Sequence, residues 1–90
     1  KPKNILIYGA GDSGLLTYNT LSNSLQTNYR ISGFLDDNRL KIGKQFNRIK
    51  IFDPINVDEK FIKKHGINEI IVSIQNIKPF DLFEKIDALT

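Results

Sequence analysis

The chain has 90 residues, is 40% apolar, contains no cysteine and carries a net charge of +3. Such a length suits one small domain near the lower limit for an adequate core. The composition excludes disulfides and thiolate metal sites and suits a reducing compartment; no segment reads as a signal peptide or approaches the ~20 apolar residues of a membrane span.

Residues 5–8 (I-L-I-Y) are continuously apolar between polar neighbours, the pattern of a strand buried on both faces. Gly9, Gly11 and Gly14 follow directly, and from 13 to about 26 the apolar positions Leu15, Leu16, Tyr18, Leu21 and Leu25 fit one face of a helix. Residues 23–28 are polar and read as a loop. Residues 29–35 (Y-R-I-S-G-F-L) read as a second strand, weakened by Gly33, and Asp36, Asp37 and Asn38 supply turn chemistry. Residues 41–45 read as an exposed loop around Gly43, and 48–52 (R-I-K-I-F) alternate as a strand wet on one side, ended by Asp53 and Pro54.

A second helix is expected over 57–65, with Val57, Phe61 and Ile62 inward. Asp58 and Glu59 in its first turn and Lys63, Lys64 and His65 in its last match the helix dipole, and Gly66 stands where a C-terminal cap belongs. Residues 67–74 end in another buried strand, and Pro79 opens a last helix holding Phe80, Leu82, Phe83, Ile86 and Leu89. The order β-α-β-β-α-β-α implies a parallel sheet with right-handed crossovers. The absence of an initiator Met and a last helix still running at Thr90 give the expectation of an excerpt from a longer protein.

The chemistry centres on residues 9–14 (G-A-G-D-S-G), a G-x-G-x-x-G between a buried strand and an amphipathic helix. In that context Gly9 permits the tight turn, Gly11 removes a Cβ that would block a phosphate, and Gly14 lets the helix pack on the strand. The helix N-terminus then offers unpaired N–H groups to an anion. Asp36 ends the next strand, near the spacing of a carboxylate that bonds ribose hydroxyls. Its charge opposes a 2′-phosphate, so NAD(H) is expected ahead of NADP(H), with Arg39 near enough to soften that preference. Ala10 and Ser13 belong to the same loop; Ser13 either caps the helix or donates to a phosphate. Asp12, repelled by a diphosphate, is expected to cap the helix and face solvent. Asp37 and Asn38 read as turn residues before ligand contacts, with Asp37 kept among the site candidates. Ser73 and Gln75 follow a strand at the sheet's carboxyl edge, where ligands lie, although a plain connecting loop explains them too.

Other residues are expected to be structural. His65 is explained by its helix end, no metal-ligand spacing occurs, and the scattered basic residues, Lys41 among them, read as solvated surface and not a nucleic-acid face. No nucleophile–base pair or Tyr-x-x-x-Lys dyad is present, so no catalytic residue is assigned within this segment.

The segments 5–14 (I-L-I-Y-G-A-G-D-S-G), 33–38 (G-F-L-D-D-N), 49–54 (I-K-I-F-D-P) and 63–74 (K-K-H-G-I-N-E-I-I-V-S-I) together resemble a known group over nearly the whole chain. It is the first Rossmann-like domain of the CapD-like nucleotide-sugar epimerase/dehydratases of polysaccharide biosynthesis, which are membrane-anchored. The resemblance implies an α/β, doubly wound, mostly parallel three-layer fold, and a parent on the cytoplasmic side of a bacterial inner membrane serving capsule or O-antigen synthesis. There the domain follows transmembrane helices and precedes the catalytic, NAD(P)-using domain. Carried over by position, Gly9, Gly11 and Gly14 form the phosphate loop and Asp36 is the ribose acid. The implied partners are a nucleotide or nucleotide-sugar and the rest of the parent enzyme; oligomeric state stays open, as does what the family's first domain binds. The N-terminal UDP-sugar domains of left-handed β-helix sugar acetyltransferases share F-L-D-D-N, but commonly carry Gly-His-Gly where this chain has Asp12-Ser13-Gly14. A non-catalytic sensor or scaffold domain with an empty loop is the remaining alternative.

Overall fold

The computed structural model of the chain describes residues 2–24 and 28–72. The first strand, β1, spans Lys3–Tyr8, and its apolar centre has no exposed side: Ile5, Leu6 and Ile7 are wholly buried. Strand alternation divides them. Ile5 and Ile7 join one core cluster and Leu6 the other, on opposite faces of the sheet.

The helix α1 spans Asp12–Ser22 and the second strand, β2, spans Tyr29–Leu35, parallel to β1. Their register shifts by one: Ile5 pairs with Ile31, but Leu6 pairs with Gly33. The extra residue, Ser32, is a bulge that keeps Ile31 and Phe34 in the same core although they lie three apart. Gly33, a weak strand former by composition, is sterically required there. A Cβ on it would lie 2.7 Å from the Phe52 ring and 3.0 Å from Leu6.

Gln45–Phe46 (β3) and Ile49–Phe52 (β4) form an antiparallel hairpin. Its two-residue turn holds Asn47 at φ 52° and Arg48 at φ 67°, as a primed turn requires. The sequence placed Gln45 in a loop and Arg48 in a strand; both are corrected here, because arginine carries no signal for a left-handed position. A 3-10 turn at Pro54–Asn56 is capped by the Asp53 carboxylate, which accepts from the Ile55 N–H at 3.0 Å.

The second helix, α2, is Glu59–His65, shorter than the sequence implied. Asp58 is its N-cap, accepting from the Phe61 N–H at 2.8 Å, so Val57 precedes the helix and packs under it. Gly66 closes it at φ 61°, in the expected capping position. The last described strand, β5, is Glu69–Val72, parallel to β1.

The sheet order is β3-β4-β2-β1-β5, with every pairing parallel except the hairpin. Tyr18 and Leu21 of α1 cover one face, and Val57, Phe61 and Ile62 cover the other. This is the expected three-layer α/β, Rossmann-like arrangement.

Two expectations about burial change. Leu15 and Leu16 are exposed, and the buried residue of α1 is Gly14, so the inward stripe is Gly14, Tyr18 and Leu21. Ile70 and Val72 are exposed too. Leu25 and the expected last helix lie outside the described residues. No described helix is long and apolar enough to cross a membrane.

Candidate functional site

The turn from β1 into α1 is built by glycines with separate duties. Gly9 takes φ 119°, which residues with a Cβ rarely adopt, and its N–H bonds the Leu35 carbonyl at 2.7 Å. A Cβ on Gly14 would lie 1.9 Å from the Gly9 carbonyl oxygen, so this glycine lets α1 press onto the turn. Gly11 differs. Its φ of −145° suits any residue, and a Cβ there would meet nothing nearer than the Lys41 ammonium at 3.9 Å. Gly11 is also the N-cap of α1 and makes no side-chain capping bond. The N–H groups of the first turn, with no intrahelical acceptors, therefore face out of the helix end uncapped.

The end of β2 supports this turn. The Asp36 carboxylate accepts from the Ala10 N–H and the Asn38 N–H, each at 2.8 Å. Each of its oxygens keeps a lone pair, so the group can still accept from a ligand hydroxyl. The Lys41 ammonium donates to the Ala10 carbonyl at 2.8 Å and lies 3.9 Å from Asp36.

Asp37 accepts from the Tyr8 hydroxyl at 2.5 Å. That bond pushes the Tyr8 hydroxyl up to about 12, because ionisation would forfeit the donated proton and place two anions in contact. A pKa raised on folding contributes stability that is complete below the ordinary tyrosine value of 10.0 and is lost as pH climbs through about 12. Melting temperature is accordingly expected to fall across that interval, and Tyr8→Phe to flatten this part of the decline. An identical alkaline profile in the variant would disprove the coupling.

Asp12 occupies the first turn of α1 and is exposed, as expected, but the cap is Gly11, so the capping role assigned to Asp12 is corrected. An acid one residue into the helix complements the dipole without closing the N–H groups. Ser13 is half-buried and supplies no side-chain cap; its carbonyl accepts from the Thr17 hydroxyl at 2.9 Å. Asn38 behaves as a turn residue, its side chain accepting from the Leu40 N–H at 3.0 Å. Arg39 pairs with the buried Asp53 carboxylate. His65 stacks on Phe61, ring centres 4.3 Å apart. Ser73 and Gln75 lie outside the described residues.

Sequence reasoning missed Lys41, counted there among solvated lysines. Its signal is conformational: the backbone bonds Lys41 N–H to Asn38 O and Gly43 N–H to Ile51 O fold residues 38–44 back toward the glycine turn. Among the described residues, no group of three or more His, Cys, Asp or Glu is placed to hold a metal ion.

No protein-family model matches the chain, and no curated protein does. A solved structure does: the crystal structure of UDP-D-quinovosamine 4-dehydrogenase from Vibrio fischeri. It is similar at a TM-score of 0.72 and 30% identity, covering 99% of this chain and 70% of that one. The chain belongs to the same family, the Rossmann-like domains of nucleotide-sugar enzymes. In a fold of this family the ligand crevice lies where the strand order reverses. Here that point is the carboxyl end of β1, between β2 and β5. The Gly9–Gly14 turn, Asp36 and Lys41 all stand at that end.

Proposed function

We propose that this chain is the nucleotide-binding domain of a nucleotide-sugar-modifying enzyme, and that its ligand lays a diphosphate on residues 9–14. One observation carries the reading. Gly14 and Gly33 are required by packing and Gly9 by its backbone angle, but the folded chain itself does not need a glycine at position 11. The room left by its missing Cβ, beside uncapped N–H groups, fits a close-lying phosphate.

In this reading the first-turn N–H groups of α1 receive the diphosphate. Asp36 holds Ala10 in place and offers its remaining lone pairs to a ribose hydroxyl, with Asp37 alongside. Where the ligand is NAD(H) or NADP(H), the nicotinamide ring supplies hydride transfer, consistent with a dehydrogenase as structural neighbour. The chain's own residues then bind and orient. Ser73 and Gln75, which follow β5 in the sequence, are further contacts in the proposal.

The finer placement follows the sequence resemblance: a CapD-like 4,6-dehydratase or epimerase of polysaccharide, capsule or O-antigen synthesis. In this placement the domain, residues 1–90, lies on the cytoplasmic side of a membrane-anchored parent. Titration calorimetry of the full-length protein with NAD⁺, NADH, NADPH and UDP-sugars tests the binding. Saturable heat with at least one of them, weakened by Gly11→Asp, is expected; no heat with any, or heat that Gly11→Asp leaves unchanged, defeats the proposal.

A further inference from the structure

The candidate diphosphate seat is surrounded by acids: Asp36 and Asp37 at the end of β2, and Asp12 in the first turn of α1. A doubly charged ligand group needs a counter-charge there, and backbone dipoles supply only a partial one. Arg39 is engaged by Asp53. Lys41 has the right placement. Its ammonium bonds the Ala10 carbonyl at 2.8 Å and lies 3.9 Å from the empty Cβ position of Gly11.

An ammonium has three donors. One goes to Ala10 and the ammonium lies 3.9 Å from the Asp36 carboxylate, beyond hydrogen-bond distance, while the side chain is 40% exposed, so donors remain for a ligand. The segment carrying it is held by backbone bonds from Lys41 to Asn38, Lys44 to Lys41 and Gly43 to Ile51, of 3.0, 3.1 and 2.9 Å. The charge is thus held over the turn before any ligand arrives, which reduces the ordering cost of binding.

We propose that Lys41 is the cation that contacts the ligand's diphosphate on the Gly9–Gly14 turn. The inference rests on the reading of that turn as a diphosphate seat, and it adds a binding residue from outside the glycine motif.

The test compares wild type, Lys41→Gln and Lys41→Arg in the full-length protein. Calorimetric titrations with UDP and NAD⁺ are set against uridine and adenosine, with melting temperature recorded for each variant. Wild type is expected to bind a diphosphate probe. Lys41→Gln is expected to weaken it by about tenfold to a hundredfold, the loss of one charge-assisted bond, and Lys41→Arg to recover most of that. Equal binding by wild type and Lys41→Gln overturns the role of Lys41 and leaves the seat standing. Failure of wild type to bind either probe overturns both.

Should Lys41→Gln melt too low to titrate, unmodified wild-type protein carrying lysine labelled with carbon-13 at Cε decides. A Lys41 Cε resonance that moves with the diphosphate probe and not with its nucleoside supports the contact; one that moves with neither, or equally with both, refutes it.

Discussion

Gly14→Ala is expected to destabilise the domain by about 3 kcal/mol or more, the upper range for overpacking a filled site. The added Cβ would stand 1.9 Å from the Gly9 carbonyl oxygen and 3.5 Å from the Phe34 ring. The first of these is backbone, held by the Gly9 bond to Leu35, and cannot swing aside as a long side chain would. Relief requires α1 to lift from the turn, loosening the packing of Tyr18 and Leu21 in the core beneath it. For a domain of this size the cost corresponds to a fall in melting temperature of roughly 12–24 °C. Thermal denaturation followed by circular dichroism measures it, and a variant melting with wild type would show that the helix does not press on the turn as described.

Phe34→Ala carries a comparable effect by the opposite route. Phe34 is wholly buried, packed edge-on to Phe46 at 5.1 Å between ring centres and tilted against Tyr18 at 6.4 Å. It thereby ties α1 and the β3–β4 hairpin to the centre of the sheet. Its removal is expected to cost about 3–5 kcal/mol, the transfer energy of the ring plus the cavity left behind. A small domain has only about 5–15 kcal/mol in total, so the variant should be close to unfolding at ambient temperature. Urea denaturation reads this directly; a midpoint unchanged from wild type would mean the ring is not the keystone of that core.

Sequence and structure agree where the signal is local and steric. The apolar run of β1, the capping glycine at Gly66 and the glycine turn are each read from neighbours in the chain, and the alternation of elements implied the parallel sheet observed. Periodicity misjudged α1 because its closest contact is made by Gly14, which has no side chain to count, so the apparent stripe slid onto Leu15 and Leu16. The bulge at Ser32 and the Asn47-Arg48 turn are invisible for a related reason: both depend on partners across the sheet.

The candidate site divides the same way. Gly9, Gly11, Gly14 and Asp36 stand out by spacing alone. What Asp36 does with its oxygens, and where the Lys41 ammonium reaches, depend on how residues 38–44 fold back across the sheet's carboxyl edge. The Tyr8–Asp37 bond likewise joins residues 29 apart in the chain and carries no local mark.

Gly11→Asp puts the claim of a diphosphate seat to its sharpest trial, because it separates folding from binding. The extended backbone at position 11 accepts aspartate, a favoured N-cap whose carboxylate would close the open N–H groups and add up to about 1 kcal/mol of stability. The same carboxylate would occupy the space of the phosphate and repel it. Calorimetric titration of UDP and NAD⁺ into this variant beside wild type should therefore show a protein that melts no lower yet loses at least tenfold in affinity. Undiminished affinity in a stably folded Gly11→Asp protein would contradict the account.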